Sequence, residues 1–276
     1  MSSSTLPPFY RFAPLLTFLV VTVVNFWPVG ERRFEDDADT LVNAAGYAFS
    51  IWGVIFIGLI GFSVVLARAA EPDTSHLRKA ILGLCVAGLA SISFVPISIN
   101  GNQVLGFLDV LAHLIALIYA YSQLRQHVAS TPARPRQQGF WFYGPSMYLG
   151  WISAATVIAA SLALEQIGVS LTLTVSIVVA AVLLVTLLLI GWRFISIADS
   201  VYGLTVAWAL VAVGVEQAGT PVLCYIAWAG AAILVLVALI RGLQDKLGFY
   251  TTPGYYPDVE PFGTIPSRST ISSVPS

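Results

Sequence analysis

Two ionisable side chains, Asp109 and His113, stand four residues apart within an apolar stretch of the sequence. In a helix this spacing places both on one face, within reach of each other. Charged groups are costly inside a membrane, and His is the side chain most easily protonated near neutral pH. The pair therefore predicts a proton or ligand site facing the interior of a helix bundle. The alternative is a structural contact in which Asp109 hydrogen-bonds to a neighbouring helix.

Aromatic side chains form two further clusters that could bind a ligand. Tyr47, Phe49, Trp52 and Phe56 crowd one end of an apolar run, and Trp52 and Phe56 share a helix face. A second cluster holds Tyr148 and Trp151. Flat aromatic surfaces with few polar groups suit a planar apolar ligand such as a tetrapyrrole or a sterol. Ordinary helix packing is the alternative interpretation of both clusters.

The sequence predicts that the protein is not an enzyme and holds no cofactor or metal. It contains neither HExxH nor Gly-x-Ser-x-Gly, and Cys85 and Cys224 form no Cys-x-x-Cys site. His113 is the sole His expected within a membrane span, which disfavours haem held by two axial histidines. Retinal needs a buried Lys, and Lys79 and Lys246 both flank predicted spans.

The elements that position these residues are predicted to be membrane-spanning helices. Of the 276 residues, 57% are hydrophobic and only 10% are charged, whereas about a quarter are charged in soluble domains. A helix needs about 20 apolar residues to cross the hydrocarbon core. The fold class is therefore all-α, a polytopic membrane helix bundle with about eight spans: Phe12 to Trp27, Ala44 to Ala67, Ala80 to Ile99, Val104 to Tyr121, Met147 to Leu164, Val169 to Trp192, Tyr202 to Val215 and Pro221 to Ile240. The seventh is the shortest.

The positions of Lys and Arg predict the orientation of the helices. With the N-terminus inside, eleven of these residues fall on the inner side and only Arg32 and Arg33 on the outer side. Cytoplasmic loops carry the excess of Lys and Arg, so both termini are expected in the cytoplasm. The net charge of −1 provides no field that would attract nucleic acid.

The polar segments between the predicted spans divide the chain into regions. Residues 1–11 form an N-terminal cytoplasmic segment, and the acidic residues 29–43 form a long outer loop. Residues 123–144 form an inner loop with Pro and Arg. Arg193 and Asp199 flank the next inner loop, where both are expected to reach water. The tail, residues 248–276, is rich in Pro, Ser, Thr and Tyr, so disorder is expected there.

Three segments resemble the translocator protein family, also called TspO, tryptophan-rich sensory protein or peripheral benzodiazepine receptor. Gly46-Tyr-Ala-Phe-Ser-Ile-Trp-Gly-Val-Ile-Phe56 is similar to the family's second helix. Pro145-Ser-Met-Tyr-Leu-Gly-Trp-Ile-Ser-Ala-Ala-Thr156 is similar to its fifth helix. Leu108-Asp-Val-Leu-Ala-His113 is similar to its fourth, which also carries an Asp. The string from Gly46 to Gly53 is similar to an enlarged bacterial branch of the family with extra C-terminal helices. The resemblance implies a TspO-like five-helix bundle over residues 12–166, three additional helices over residues 167–247, and a bacterial plasma membrane as the location.

The resemblance also implies a ligand pocket between the first five helices, lidded by the long outer loop. The sequence departs from the family pattern before the second helix, where Pro-Pro-x-Trp is replaced by Asn43-Ala-Ala-Gly46. The third-helix Asn and Trp of the family correspond to Ser91 and Phe94. Because those positions help to line the family's pocket, the departures bear on which ligand is bound.

The function predicted from these observations is binding of a hydrophobic planar ligand, porphyrin or sterol-like, with transport or sensing by a membrane receptor. The ligand and the lipid bilayer are then the partners. The predicted ligand-binding residues are those of the two aromatic clusters and the polar pair: Tyr47, Phe49, Trp52, Phe56, Asp109, His113, Tyr148 and Trp151. One alternative is a proton-coupled transporter that uses Asp109 and His113. Another is a non-catalytic assembly subunit, in which small residues such as Gly58 and Gly61 permit close helix contacts, although they serve internal packing equally well. A homodimer is among the predicted partners.

Overall fold

The computed structural model describes residues 5–26, 40–68, 73–130, 135–169 and 172–246. Most of the predicted outer loop and all of the tail from residue 248 lie outside these ranges. The α-helices are α1 (Pro8–Phe26), α2 (Ile51–Arg68), α3 (Ser75–Ile99), α4 (Gln103–Ser130), α5 (Pro135–Gln166), α6 (Leu173–Ser196), α7 (Ser200–Glu216) and α8 (Pro221–Lys246). Short 3-10 helices at Gly46–Ser50 and Gln217–Gly219 adjoin α2 and α7. The all-α membrane bundle is confirmed, because these eight helices are all long and apolar enough to cross a membrane.

The inner loop predicted over residues 123–144 is mostly helical. Helix α4 continues to Ser130 and α5 already begins at Pro135. Proline suits the first position of a helix because its missing N–H would have no partner there. The hydrophobic run marks only where a helix crosses the membrane, so it could not locate the polar turns that extend beyond it. Trp151 consequently lies near the middle of α5.

The first five helices close into a ring. Helix α1 packs against α2 and α3, α3 against α4, α4 against α5, and α5 returns to α2. Helices α2 and α5 approach most closely at Gly58 and Gly144, where a methyl group added to Gly144 would lie 2.6 Å from the backbone carbonyl carbon of Gly58. The ring order, 1–2–5–4–3, leaves a space between the helices that side chains from all five can line.

The last three helices form a second unit beside this ring. Helices α6, α7 and α8 pack against one another, and α7 also packs against α5. Of the α7 span, 61% is buried inside the protein, against 17% of the α6 span. This explains why the seventh span is short and less apolar than the others, since protein surrounds much of it. Helix α6 exposes many large aliphatic side chains, as expected of a surface that faces lipid.

Asp199, in the turn between α6 and α7, is buried rather than reaching water as the sequence suggested. Its Oδ2 accepts hydrogen bonds from the Tyr121 hydroxyl at 2.6 Å and the Ser146 hydroxyl at 2.7 Å. Its Oδ1 accepts from the backbone N–H of Tyr202 at 3.0 Å, which caps α7. One carboxylate therefore joins α4, α5 and α7 at this end of the bundle.

A second polar contact lies just before α3. The Arg78 guanidinium donates two hydrogen bonds to the Asp73 carboxylate. These bonds favour the ionised acid and lower the pKa of Asp73 from its usual value. The next residue, Thr74, accepts from the backbone N–H of Leu77 and caps the helix at 3.1 Å.

Candidate ligand-binding cavity

A partly open cavity of about 210 Å³ lies inside the five-helix ring. Every helix of the ring contributes to its wall, together with the 3-10 helix that precedes α2. The lining residues are Asn25, Phe26, Phe49, Trp52, Phe56, Ser91, Phe94, Val95, Val110, His113, Trp151, Ile152 and Ala155. Most of this surface is apolar, and six of the thirteen residues are aromatic.

The two aromatic clusters meet at the cavity. The ring centroids of Trp52 and Trp151 are 6.4 Å apart with planes at 80°. The Phe49 ring contacts Trp151 edge-on at 5.6 Å, and Phe56 stacks on Trp52 at 5.2 Å. The sequence did not predict this contact between the clusters. The fifth span was predicted to start at Met147 on the inner side, which placed Tyr148 and Trp151 near the inner surface of the membrane. The earlier start of α5 brings Trp151 to the level of Trp52.

Three hydrogen-bonding side chains interrupt the apolar wall. The Asn25 amide donates to the Val21 carbonyl at 2.9 Å and to the Ser91 hydroxyl at 3.3 Å. His113, which is only 2% exposed, is bonded through Nε2 to the Tyr148 hydroxyl at 2.5 Å. These groups come from α1, α3 and α4, whereas Trp52 and Trp151 come from α2 and α5. Phe26 of α1 and Phe94 of α3 add further aromatic rings to the lining.

Three of the eight predicted site residues are not part of the cavity lining. Tyr148 is fully buried behind it, where its hydroxyl also donates to the Ala87 carbonyl at 3.2 Å. Tyr47 is 44% exposed, and its ring contacts Trp208 of α7 edge-on at 5.5 Å. Asp109 faces the junction of α3 and α4. The other five, Phe49, Trp52, Phe56, His113 and Trp151, all line the cavity.

Asp109 and His113 are not paired in the structure. Asp109 Oδ1 accepts a hydrogen bond from the Ser93 hydroxyl of α3 at 2.6 Å, and its buried Oδ2 has no hydrogen-bond partner among the described residues. His113 is bonded instead to Tyr148 of α5. The spacing correctly places both on the same side of α4, but the neighbouring helices determine their partners. Asp109 thus makes the interhelical contact that was the alternative interpretation.

Several lining residues were not among the predicted site residues. Ser91 and Phe94 were found only through the resemblance, as replacements for pocket residues of the family. Asn25 stands near the end of the first predicted span, where a location at the membrane surface explains a polar residue without a ligand. Val95, Val110, Ile152 and Ala155 are ordinary core types with no signal of their own. Among the described residues, no group of three or more His, Cys, Asp or Glu side chains is placed to hold a metal ion.

Comparison with known families agrees with this architecture. The family model described as TSPO-like protein matches residues 10–240. The chain belongs to the TSPO-like protein family. The chain also has eight helices that are long and apolar enough to cross a membrane. It is therefore an integral membrane protein of the TspO type. No curated protein and no solved structure matches the chain.

The TSPO-like match extends well beyond the segments that carried the sequence resemblance. Those segments lie within the first five helices, whereas the match starts in α1 and continues through most of α8. The helices α6 to α8 therefore belong to the region that the family model describes. Their contacts with the five-helix ring are consequently relevant to the site.

Proposed function

We propose that this TSPO-like protein binds a planar hydrophobic ligand in the cavity of its five-helix ring and acts as a membrane receptor or carrier for it. The observation that carries the proposal is the cavity wall, which combines six aromatic rings with three polar side chains, Asn25, Ser91 and His113. Pockets for small molecules combine such apolar walls with a few oriented polar groups. We assign no catalytic step to these residues.

The Trp52 and Trp151 rings would contact the flat part of the ligand. Trp52 is half-buried and reaches the cavity beside the fully buried Trp151. Aromatic pairs prefer offset-stacked or edge-to-face arrangements, and contacts of this kind stabilise a complex by about 0.5–1.5 kcal/mol beyond the burial of area. Asn25, Ser91 and His113 would hydrogen-bond a polar edge of the same ligand.

The volume of the cavity limits how much of a ligand fits inside. A cavity of about 150 Å³ is enough for benzene, and drug-sized ligands occupy roughly 300–1,000 Å³. At about 210 Å³, the cavity accommodates one or two rings. We propose that a tetrapyrrole or sterol places one edge in the cavity against the Trp52 and Trp151 rings and extends through the open side. The sequence analysis predicted both of these ligand classes, the tetrapyrroles and the sterols.

The proposal is tested by titrating the purified full chain in detergent with protoporphyrin IX and following the absorbance of the porphyrin. This signal does not depend on the protein's own tryptophans. Variants Trp52→Phe, Trp52→Ala and Trp151→Phe change the aromatic wall, and Trp192→Phe on exposed α6 is the matched control. Cholesterol serves as a competitor that reports on the sterol class.

We expect saturable binding by the wild type and the Trp192→Phe variant. Trp52→Ala should weaken binding about threefold to tenfold, since 1.4 kcal/mol corresponds to a factor of ten. Competition by cholesterol would assign both ligand classes to one site. Unsaturable absorbance changes, or saturable binding indifferent to all the Trp52 and Trp151 substitutions, would contradict binding in this cavity.

The proposal also states the membrane in which the protein lies and its orientation there. We infer that both termini lie in the cytoplasm from the distribution of Lys and Arg, and that the membrane is a bacterial plasma membrane from the resemblance to the bacterial branch of the family.

Gly58, one of the small residues that suggested an assembly role, contacts Gly144 within the same chain. This contact supports internal packing as the role of Gly58. A homodimer, proton-coupled transport and an assembly role stay predictions from the sequence.

A further inference from the structure

The segment that precedes α2, residues 40–50, is attached to α7. The Trp208 indole N–H donates to the Ala48 carbonyl at 3.1 Å. The Ala45 N–H donates to the Ala212 carbonyl at 3.1 Å, and the Gln217 amide donates to the Thr40 carbonyl at 3.2 Å. Three hydrogen bonds, from Trp208 and Ala212 of α7 and from Gln217 in the turn after it, therefore hold this segment.

The same segment carries part of the cavity wall. Phe49 follows Ala48 directly and lines the cavity, and Trp52 lies in the first turn of α2. The 3-10 helix Gly46–Ser50 is short and has no side-chain cap at Ala45. Short 3-10 helices have poorer hydrogen-bond geometry than α-helices, so tertiary contacts largely determine where they lie. A shift of Ala48 would move Phe49 and Trp52 with it.

Trp208 stands behind this wall rather than in it. It is absent from the cavity lining, it is 37% exposed, and its ring packs against the edge of Tyr47. The indole thus makes two contacts with the 3-10 helix, one through its N–H to Ala48 and one through its ring to Tyr47. A phenyl ring at this position would keep an apolar contact but lose the hydrogen bond to Ala48.

We propose that Trp208 is a positioning residue for the ligand cavity, which fixes Phe49 and Trp52 through the carbonyl of Ala48. Helices α6 to α8 then contribute to ligand affinity without contacting the ligand. The inference rests on the proposed ligand-binding function. It gives the last three helices a specific role in that function.

The test compares Trp208→Phe with Trp192→Phe in the purified full chain, using protoporphyrin IX as the probe. Both variants replace one indole by a phenyl ring, but Trp192 lies exposed on α6 and outside the cavity lining. The dissociation constant, the thermal midpoint without ligand and amide hydrogen exchange along residues 44–52 are measured for each. Exchange localised to this segment is a readout that general destabilisation would not produce.

Trp208→Phe is expected to raise the dissociation constant about threefold to tenfold, which corresponds to the loss of one hydrogen bond within a membrane protein. Exchange should quicken at residues 44–52 and stay unchanged in α4 and α8. Trp192→Phe should match the wild type in both measurements. Suppose that the wild type binds protoporphyrin IX saturably. If Trp208→Phe then binds it with the same affinity, or if amide exchange quickens throughout the protein, the positioning role alone is overturned. Absence of porphyrin binding by the wild type would overturn the proposed function as well.

Discussion

At the scale of single residues, Asp199 shows how a buried carboxylate can organise a helix bundle. It lies in a turn between two spans, is 6% exposed, and accepts hydrogen bonds from Tyr121, Ser146 and the N–H of Tyr202. Hydrogen bonds to a charged group are stronger than those between neutral groups. Asp199 therefore links α4 and α5 of the ring to the start of α7.

The substitution Asp199→Ala is predicted to destabilise the protein by about 1–3 kcal/mol, because it leaves two buried hydroxyls and one buried N–H without their acceptor. The free energy of unfolding in mixed micelles, measured by titration with a denaturing detergent, checks this value. Glu165→Ala is the control, since Glu165 is exposed at the end of α5. Equal effects of the two substitutions would show that the Asp199 contacts contribute nothing specific.

At the scale of secondary-structure elements, α2 and α5 pack closely beside the cavity through a contact between two glycines. Trp52 and Trp151 project from these two helices, and Gly58 meets Gly144 between them. Without side chains at this crossing, the backbones approach closely, as at other small-residue contacts between membrane helices. The glycine contact therefore determines how closely α2 and α5 pack at this crossing.

We predict that Gly144→Ala destabilises the protein by about 1–3 kcal/mol through overpacking. The added methyl group would press on the backbone of Gly58, which cannot move aside as a side chain can. Thermal unfolding with and without ligand measures the effect. Gly53→Ala is the matched control in α2, because a methyl group there meets no atom within 4 Å. That variant should be neutral or up to about 1 kcal/mol more stable.

At the scale of the whole molecule, the eight helices fall into a ring of five and a unit of three. Helix α7 connects the two by packing on α5 and by holding the segment before α2. An even number of spans places both chain termini on one side of the membrane. The distribution of Lys and Arg predicts which side that is.

Labelling of single cysteines in intact cells tests the predicted orientation. In a background of Cys85→Ala and Cys224→Ala, the substitutions Ser2→Cys and Ser273→Cys place a thiol near each terminus, and Arg32→Cys places one in the predicted outer loop. A maleimide reagent that cannot cross membranes should label only the Arg32→Cys variant until the cells are permeabilised. Labelling of one terminus without the other would contradict an even number of spans.

Much of the fold could be predicted from the sequence because the main signal is local. A helix that crosses a bilayer must satisfy its own backbone hydrogen bonds and present about 20 apolar residues to lipid. Each run of such residues therefore indicates one span, wherever the other spans lie. Even the short seventh run, from Tyr202 to Val215, corresponds to a helix in the structure, α7. The aromatic and small residues of α2 and α5 further indicated the family.

The tertiary structure alone decided which side chains share the cavity. Five of the predicted residues line it, yet Tyr47 faces α7 and Asp109 bonds to Ser93 instead of His113. The attachment of Trp208 to Ala48 joins residues 160 positions apart and has no local signal. Lipid-exposed and protein-facing positions are both apolar in a membrane helix, so hydropathy locates a span without fixing its rotation or neighbours. Those follow from close packing and interhelical hydrogen bonds, which exist only once the helices have assembled.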